Sequence, residues 1–193
     1  MTIIKGRHTR AAAAAILAAA GLTAILPTPA TASGLKSIWG PTEVNGVSQF
    51  PLYRDLGVNI YHAALVWSST APTRPRHPRD PNDPAYHWPA EITRAVTDAG
   101  AAGIRVSLQI FGSPAWANGG RSYIWAPHPR DLADFAYAAA RRYRSVRLWM
   151  VWGEPSRTHN FEPEVPARPG TRLTRAQAAA PHIYARMLDA AYG

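Results

Sequence analysis

The sequence predicts an α/β fold of parallel strands alternating with helices, and within that class a (β/α)8 TIM barrel with only about the first four βα units present. Three observations lead there. Short apolar runs alternate with helical patterns along residues 33–193, the order expected of a parallel sheet. The turn after the first strand, "WGPTEVNGVSQF", lacks the G-x-G-x-x-G loop that a doubly wound dinucleotide-binding sheet carries there. The loops after the strands are long and rich in tryptophan, as on the chemical face of a barrel. A complete barrel takes about 250 residues, so four strands in 193 residues amount to about half of one.

The first 32 residues stand apart. Lys5, Arg7 and Arg10 precede an alanine-rich apolar run from Ala11 to Leu26, and "PTPATAS" sets Ala30 and Ala32 in A-x-A spacing. Those are the parts of a secretory signal peptide cut after Ala32. The expectation is a secreted, extracellular domain over residues 33–193, with no membrane attachment once the signal is removed. Three of the 21 Lys and Arg and none of the 12 acids lie in the signal, so the formal charge of +9 falls to +6. The positive charges are mostly arginines, scattered rather than blocked and not interleaved with aromatics, which argues against a nucleic-acid partner. There is no cysteine, so no disulfide framework holds the domain.

The elements follow in order. "LKSIWG" (Leu35–Gly40) reads as a first strand, "SQFPLYRDLG" as a short helix ending at Gly57, and "VNIYHAAL" (Val58–Leu65) as a second strand. The loop "STAPTRPRHPRDPNDPAYHW" is too rich in proline for regular structure. In "PAEITRAVTDAG" a proline opens a helix, Ile92, Ala95, Val96 and Ala99 share a face, and Gly100 closes it. "IRVSLQIF" (Ile104–Phe111) is a third strand whose Ile104, Val106, Leu108 and Ile110 would meet the helices. Its alternate set, Arg105, Ser107, Gln109 and Phe111, would line the barrel interior. "HPRDLADFAYAAARRYRS" is amphipathic, with Leu132, Phe135, Ala136, Ala139 and Tyr143 on its apolar face. Val146–Trp152 is a fourth strand, and a last helix spans about Leu173 to Tyr192, with Pro181 either kinking it or marking its true start.

Candidate chemistry gathers at the strand ends. Trp39, Trp67, Trp116 and Trp152 follow the four strands in turn, and Trp125 lies in the third loop. Strand C-termini share one rim of a barrel, so these indoles would face a common groove suited to the C–H faces of sugar rings; core packing is the competing reading. Glu154, after the fourth strand, sits on the same rim. Among indoles its ionised form would lose hydration, which favours the protonated acid that a glycosidic oxygen requires. The seven histidines show no metal-ligand spacing, and Ser113 and Ser156 lack a G-x-S-x-G setting, so neither a metal or other cofactor nor a serine triad is expected.

"LWMVWGEPS" resembles the W-N-E-P motif that ends the fourth strand in the large clan of retaining (β/α)8-barrel glycoside hydrolases, closest to family 39 and the cellulase-like family 5. "FGSPAWA" and "GVNIYHAALVWSSTAP" resemble the matching third and second strand ends, and the resemblance runs from about Ile38 to Tyr192. It implies that Glu154 is the general acid/base, that the rim is the sugar cleft, and that His62 stands where the family often has an arginine. The asparagine that contacts the sugar 2-hydroxyl in the family is Gly153 here. The family's nucleophile, a glutamate after strand seven, has no counterpart in four strands. Retaining chemistry needs two carboxylates about 5–5.5 Å apart, and Glu43, Glu162 and Glu164 read better as solvated loop acids. The expectation is therefore a secreted glycoside hydrolase represented by its N-terminal half. The alternatives are a carbohydrate-binding relic without catalysis and a homodimer that closes the open barrel edges.

Overall fold

A computed structural model describes residues 34–157, 159–163 and 170–193. The signal peptide expected in residues 1–32 and Glu164 fall outside the described residues. Six strands and five helices follow in the order β1 (Ser37–Ile38), β2 (Glu43–Val44), β3 (Val47–Ser48), α1 (Phe50–Asp55), β4 (Ile60–Val66), α2 (Trp67–Thr70), α3 (Ala90–Ala101), β5 (Arg105–Phe111), α4 (Pro129–Arg142), β6 (Leu148–Val151) and α5 (Arg175–Tyr192). A single 3-10 turn covers Ala115–Ala117.

The four expected strands form one parallel sheet in the order β1-β4-β5-β6. Each new βα unit adds at the same edge, with none of the order reversal that defines a doubly wound sheet. Register sets Ala64 opposite Gln109 and Gln109 opposite Met150. Period-two alternation then sorts the strands into two faces. Tyr61, Ala63 and Leu65 of β4 and Val106, Leu108 and Ile110 of β5 are buried in one core with Ile92 and Ala95 of α3 and Leu132 and Phe135 of α4. His62, Ala64, Gln109, Phe111 and Met150 take the other face and border an open hollow that no described helix lines.

Helix boundaries have local causes. Pro89 at the N-cap of α3 presets the entry, and Gly103 with φ 73° lets the chain turn back into β5. Helix α5 begins where Thr174 and Gln177 cap each other's backbone, and it runs through Pro181 without a break. Two elements depart from expectation. Helix α2 follows β4 directly where a loop was expected. Residues 43–48 form a separate antiparallel hairpin, because Asn45 and Gly46 both adopt positive φ (51° and 78°), the pairing a tight two-residue turn demands.

The proline-rich segment from Ala71 to Trp88 is irregular yet tied down. The Asp83 carboxylate, almost fully buried, accepts from the backbone N–H of His77 (2.8 Å) and of Ala85 (3.0 Å). Burial alone would raise its pKa, but those N–H donors, with the nearby His77, outweigh it and leave Asp83 below the ordinary carboxylate range. The Tyr86 hydroxyl donates to Pro78 O, the Trp88 indole donates to Pro81 O at 2.8 Å, and His87 N donates to Thr70 O at 2.7 Å. Tyr86 and Trp88 then stack toward Phe135 of α4. Among the described residues no helix is long and apolar enough to cross a membrane.

Candidate functional site

The inner face of the sheet opens into a hollow of about 580 Å³ near the strand C-termini, bordered by Trp39, His62, Gln109, Phe111, Met150 and Glu154 among others. The positions follow from strand parity. Ile38 pairs with Tyr61 on the helix side, so Trp39 falls on the inner side, where its ring lies 4.5 Å from that of His62. His62 Nε2 in turn lies 3.2 Å from Gln109 Oε1. Trp39 is 66% exposed, a large apolar face left open to the hollow's mouth.

Glu154 is carried by a short loop rather than by the strand itself. Trp152 N extends the ladder by donating to Ile110 O (2.8 Å), and the chain then turns with positive φ at Trp152 (65°) and Glu154 (44°). Neither is a glycine, and each such conformation costs about 1–3 kcal/mol. The surroundings hold it: the Trp152 indole, 1% exposed, packs on Phe111 and Phe161 and donates to Asn160 O at 2.7 Å. This strained turn projects Glu154 over the hollow. Its Oε2 accepts from Arg157 Nη1 at 2.9 Å and from Asn160 Nδ2 at 3.0 Å. The side chain is 62% exposed, so the desolvation among indoles expected from the sequence does not occur. Exposed water and a paired guanidinium surround the carboxylate instead.

Gly153 is required by its neighbour. An added Cβ would overlap the Gln109 amide nitrogen and stand 3.3 Å from Gln109 Cδ. Gln109, a buried polar residue of the inner face, thus fills the volume that any side chain at 153 would need. Sequence reading placed Gln109 inside but missed this pairing, whose signal is a long amide on one strand and a glycine just past the end of its neighbour.

The five tryptophans do not share a groove. Only Trp39 borders the hollow. Trp67 has the parity of Tyr61, Ala63 and Leu65, and it is fully buried, stacked on Phe135 at 5.1 Å. Trp152 is buried beneath the Glu154 loop. Trp116 turns its N–H to Ala71 O (2.8 Å) and its face to the Arg74 guanidinium (4.5 Å), so it fastens two loops. Trp125 borders a separate depression with Arg121, whose guanidinium covers its ring at 4.1 Å. His62 lies on the inner face and borders the hollow. Ser113 is buried and donates to the Trp125 carbonyl, a structural role. Glu154 is the one acid among the described residues lining the hollow. Glu43 lies in the exposed hairpin, and the backbone of Glu162 bridges to the strand-like segment at Ile124–Ala126.

No family model and no curated protein matches the sequence. Among solved structures, the fold is similar to that of a family 39 glycoside hydrolase from the gut symbiont Bacteroides cellulosilyticus WH2. The identity is 18%, the match covers 63% of this chain and 24% of that chain, and the TM-score is 0.48. The chain spans about a quarter of that enzyme's length.

Proposed function

We propose that the chain is a secreted segment of a barrel-type glycoside hydrolase, in which the hollow holds a sugar ring and Glu154 is the general acid/base of a retaining reaction. The observation that carries this reading is Glu154 on its strained strand-end turn, aimed over a hollow with an open indole at its mouth. Sequential strand order with helices on one face also supports a partial (β/α)8 barrel, whose closing strands and nucleophile would come from residues outside this chain. A sugar ring entering between Trp39 and Glu154 would meet an open indole face on one side and the carboxylate on the other.

A second reading is carbohydrate binding without hydrolysis. It is favoured by Glu154 being the one carboxylate among the described residues that lines the hollow, since retaining hydrolysis takes two at about 5–5.5 Å. The free edges of β1 and β6 would also allow two copies to pair and close the sheet. Glu154→Gln separates the readings. Under the first, the chain supplied with the closing strands and nucleophile turns over at least one of a panel of aryl glycosides, and the substitution abolishes turnover while sugar affinity persists. Under the second, the wild type so completed still turns over nothing, and it and the variant bind the same oligosaccharides. Turnover that survives Glu154→Gln contradicts both.

A further inference from the structure

A second feature lies away from the hollow, where the proline-rich segment after α2 meets helix α4. Arg76, His77, Arg79, Arg130 and Arg141 there border an open groove of about 760 Å³ together with Asp80 and Asp134. We propose that this groove binds an anionic sugar chain, with carboxylate or sulfate groups held by the four arginines. In sequence, "PTRPRHPRD" reads as a solvated basic loop. Folding changes that by adding two arginines from α4 and by fixing the loop itself through Asp83, Tyr86 and Trp88.

The charges are only partly cancelled. Arg79 pairs with Asp134 at 3.0 Å, and Asp80 is engaged by Asn82 N at 3.0 Å. Among the described residues, Arg76, Arg130 and Arg141 form no ion pair. Just outside the groove, the Tyr137 ring orders two of the forks: Arg79 lies over it at 4.7 Å and Arg141 at 5.9 Å. Arg74, clamped by both oxygens of Asp131 (2.8 and 3.0 Å), keeps the base of the loop against α4. Guanidinium forks match carboxylate and sulfate geometry, and for Arg79 and Arg141 the Tyr137 ring already meets part of the ordering cost. The lining has no Phe, Tyr or Trp, so a nucleobase finds no ring within the groove on which to stack. That favours an anionic glycan over single-stranded nucleic acid.

The test is calorimetric titration of the full chain with a heparin-derived hexasaccharide and with hexagalacturonate. At least one should bind, more weakly as salt rises. Arg76→Ala with Arg130→Ala should weaken it about tenfold or more, the scale of one lost charge-assisted hydrogen bond. Arg94→Ala with Arg175→Ala, an equal loss of exposed charge elsewhere, should change it less than about twofold. Glu154→Gln should leave it unchanged, which keeps this groove distinct from the hollow. If the double alanine variant melts early, Arg76→Lys with Arg130→Lys retains the charge but loses the forks, and weakened binding is still expected. The proposal is overturned if neither glycan binds, if both double alanine variants weaken binding equally, or if oligothymidylate of equal charge binds more tightly. None of those results bears on Glu154.

Discussion

Replacing Gly153 with alanine probes the floor of the hollow. Gly153 is not among the residues with positive φ, so alanine suits its backbone and only the contact with Gln109 decides the outcome. The added Cβ would displace the Gln109 amide, the tip of a flexible side chain with the hollow open before it. Swinging away breaks the 3.2 Å contact with His62, worth about 0.5–1.5 kcal/mol. A non-ideal rotamer adds about 0.5–1.5 kcal/mol. The expected loss is therefore about 1–3 kcal/mol, or about 2–12 °C in Tm for a chain of this size. Urea unfolding followed by tryptophan fluorescence measures it. With Gln109→Ala already in place the clash has no partner, so the two substitutions should couple by about 1 kcal/mol. A Gly153→Ala protein within about 0.3 kcal/mol of wild type, or strict additivity with Gln109→Ala, would refute the interlock.

Other outcomes follow from burial and charge. Trp67→Ala and Trp152→Ala should each cost about 3–5 kcal/mol, while Trp39→Ala should change stability by no more than about 0.5 kcal/mol; thermal melts of the three compare them directly. Arg157→Ala removes a pair whose side chains are 69% and 62% exposed, so the melt should move by under about 1 kcal/mol. Burial holds Tyr53, Tyr61, Tyr86, Tyr143 and Tyr184 above the ordinary tyrosine range. Unfolded tyrosines ionise near about pH 10 and these only higher, so stability should be full below about pH 10 and fall above it. Tyr86→Phe should flatten that alkaline fall. Asp83 is depressed instead, so its contribution is full above about pH 4 and lost on acidification; Asp83→Asn should flatten the acid limb, read from urea midpoints against pH.

Secondary structure was legible where periodicity was strong. The alternation of β5 and the amphipathic stripe of α4 mark their own buried faces, and Pro89 marks the start of α3. The sheet order was legible as well, because βα repetition without a phosphate loop leaves few topologies. The tryptophan rim was not. Counting indoles at strand ends ignores parity, and parity alone assigns Trp67 to the face of Leu65 and Trp39 to the face of His62. The Asn45-Gly46 hairpin had a clear local signal that the search for strand-helix units passed over. Glu154 was legible as a strand-end acid, yet its exposure was not, since that depends on Arg157 and Asn160 folding back beside it. The arginine groove was invisible for a related reason: its two halves lie about 50 residues apart in sequence, and only the packing of a fixed loop on α4 joins them.

The proposed glycosidase role stands or falls on whether the hollow between Trp39 and Glu154 receives a sugar. Calorimetric titration of cello-, xylo- and arabino-oligosaccharides against the wild type and Trp39→Ala tests it most directly. Binding by at least one of them is expected, weakened about tenfold or more by Trp39→Ala as an exposed stacking face is lost, and unchanged by Trp125→Ala. Binding insensitive to Trp39→Ala, or abolished by Trp125→Ala instead, would contradict it and move the sugar site elsewhere.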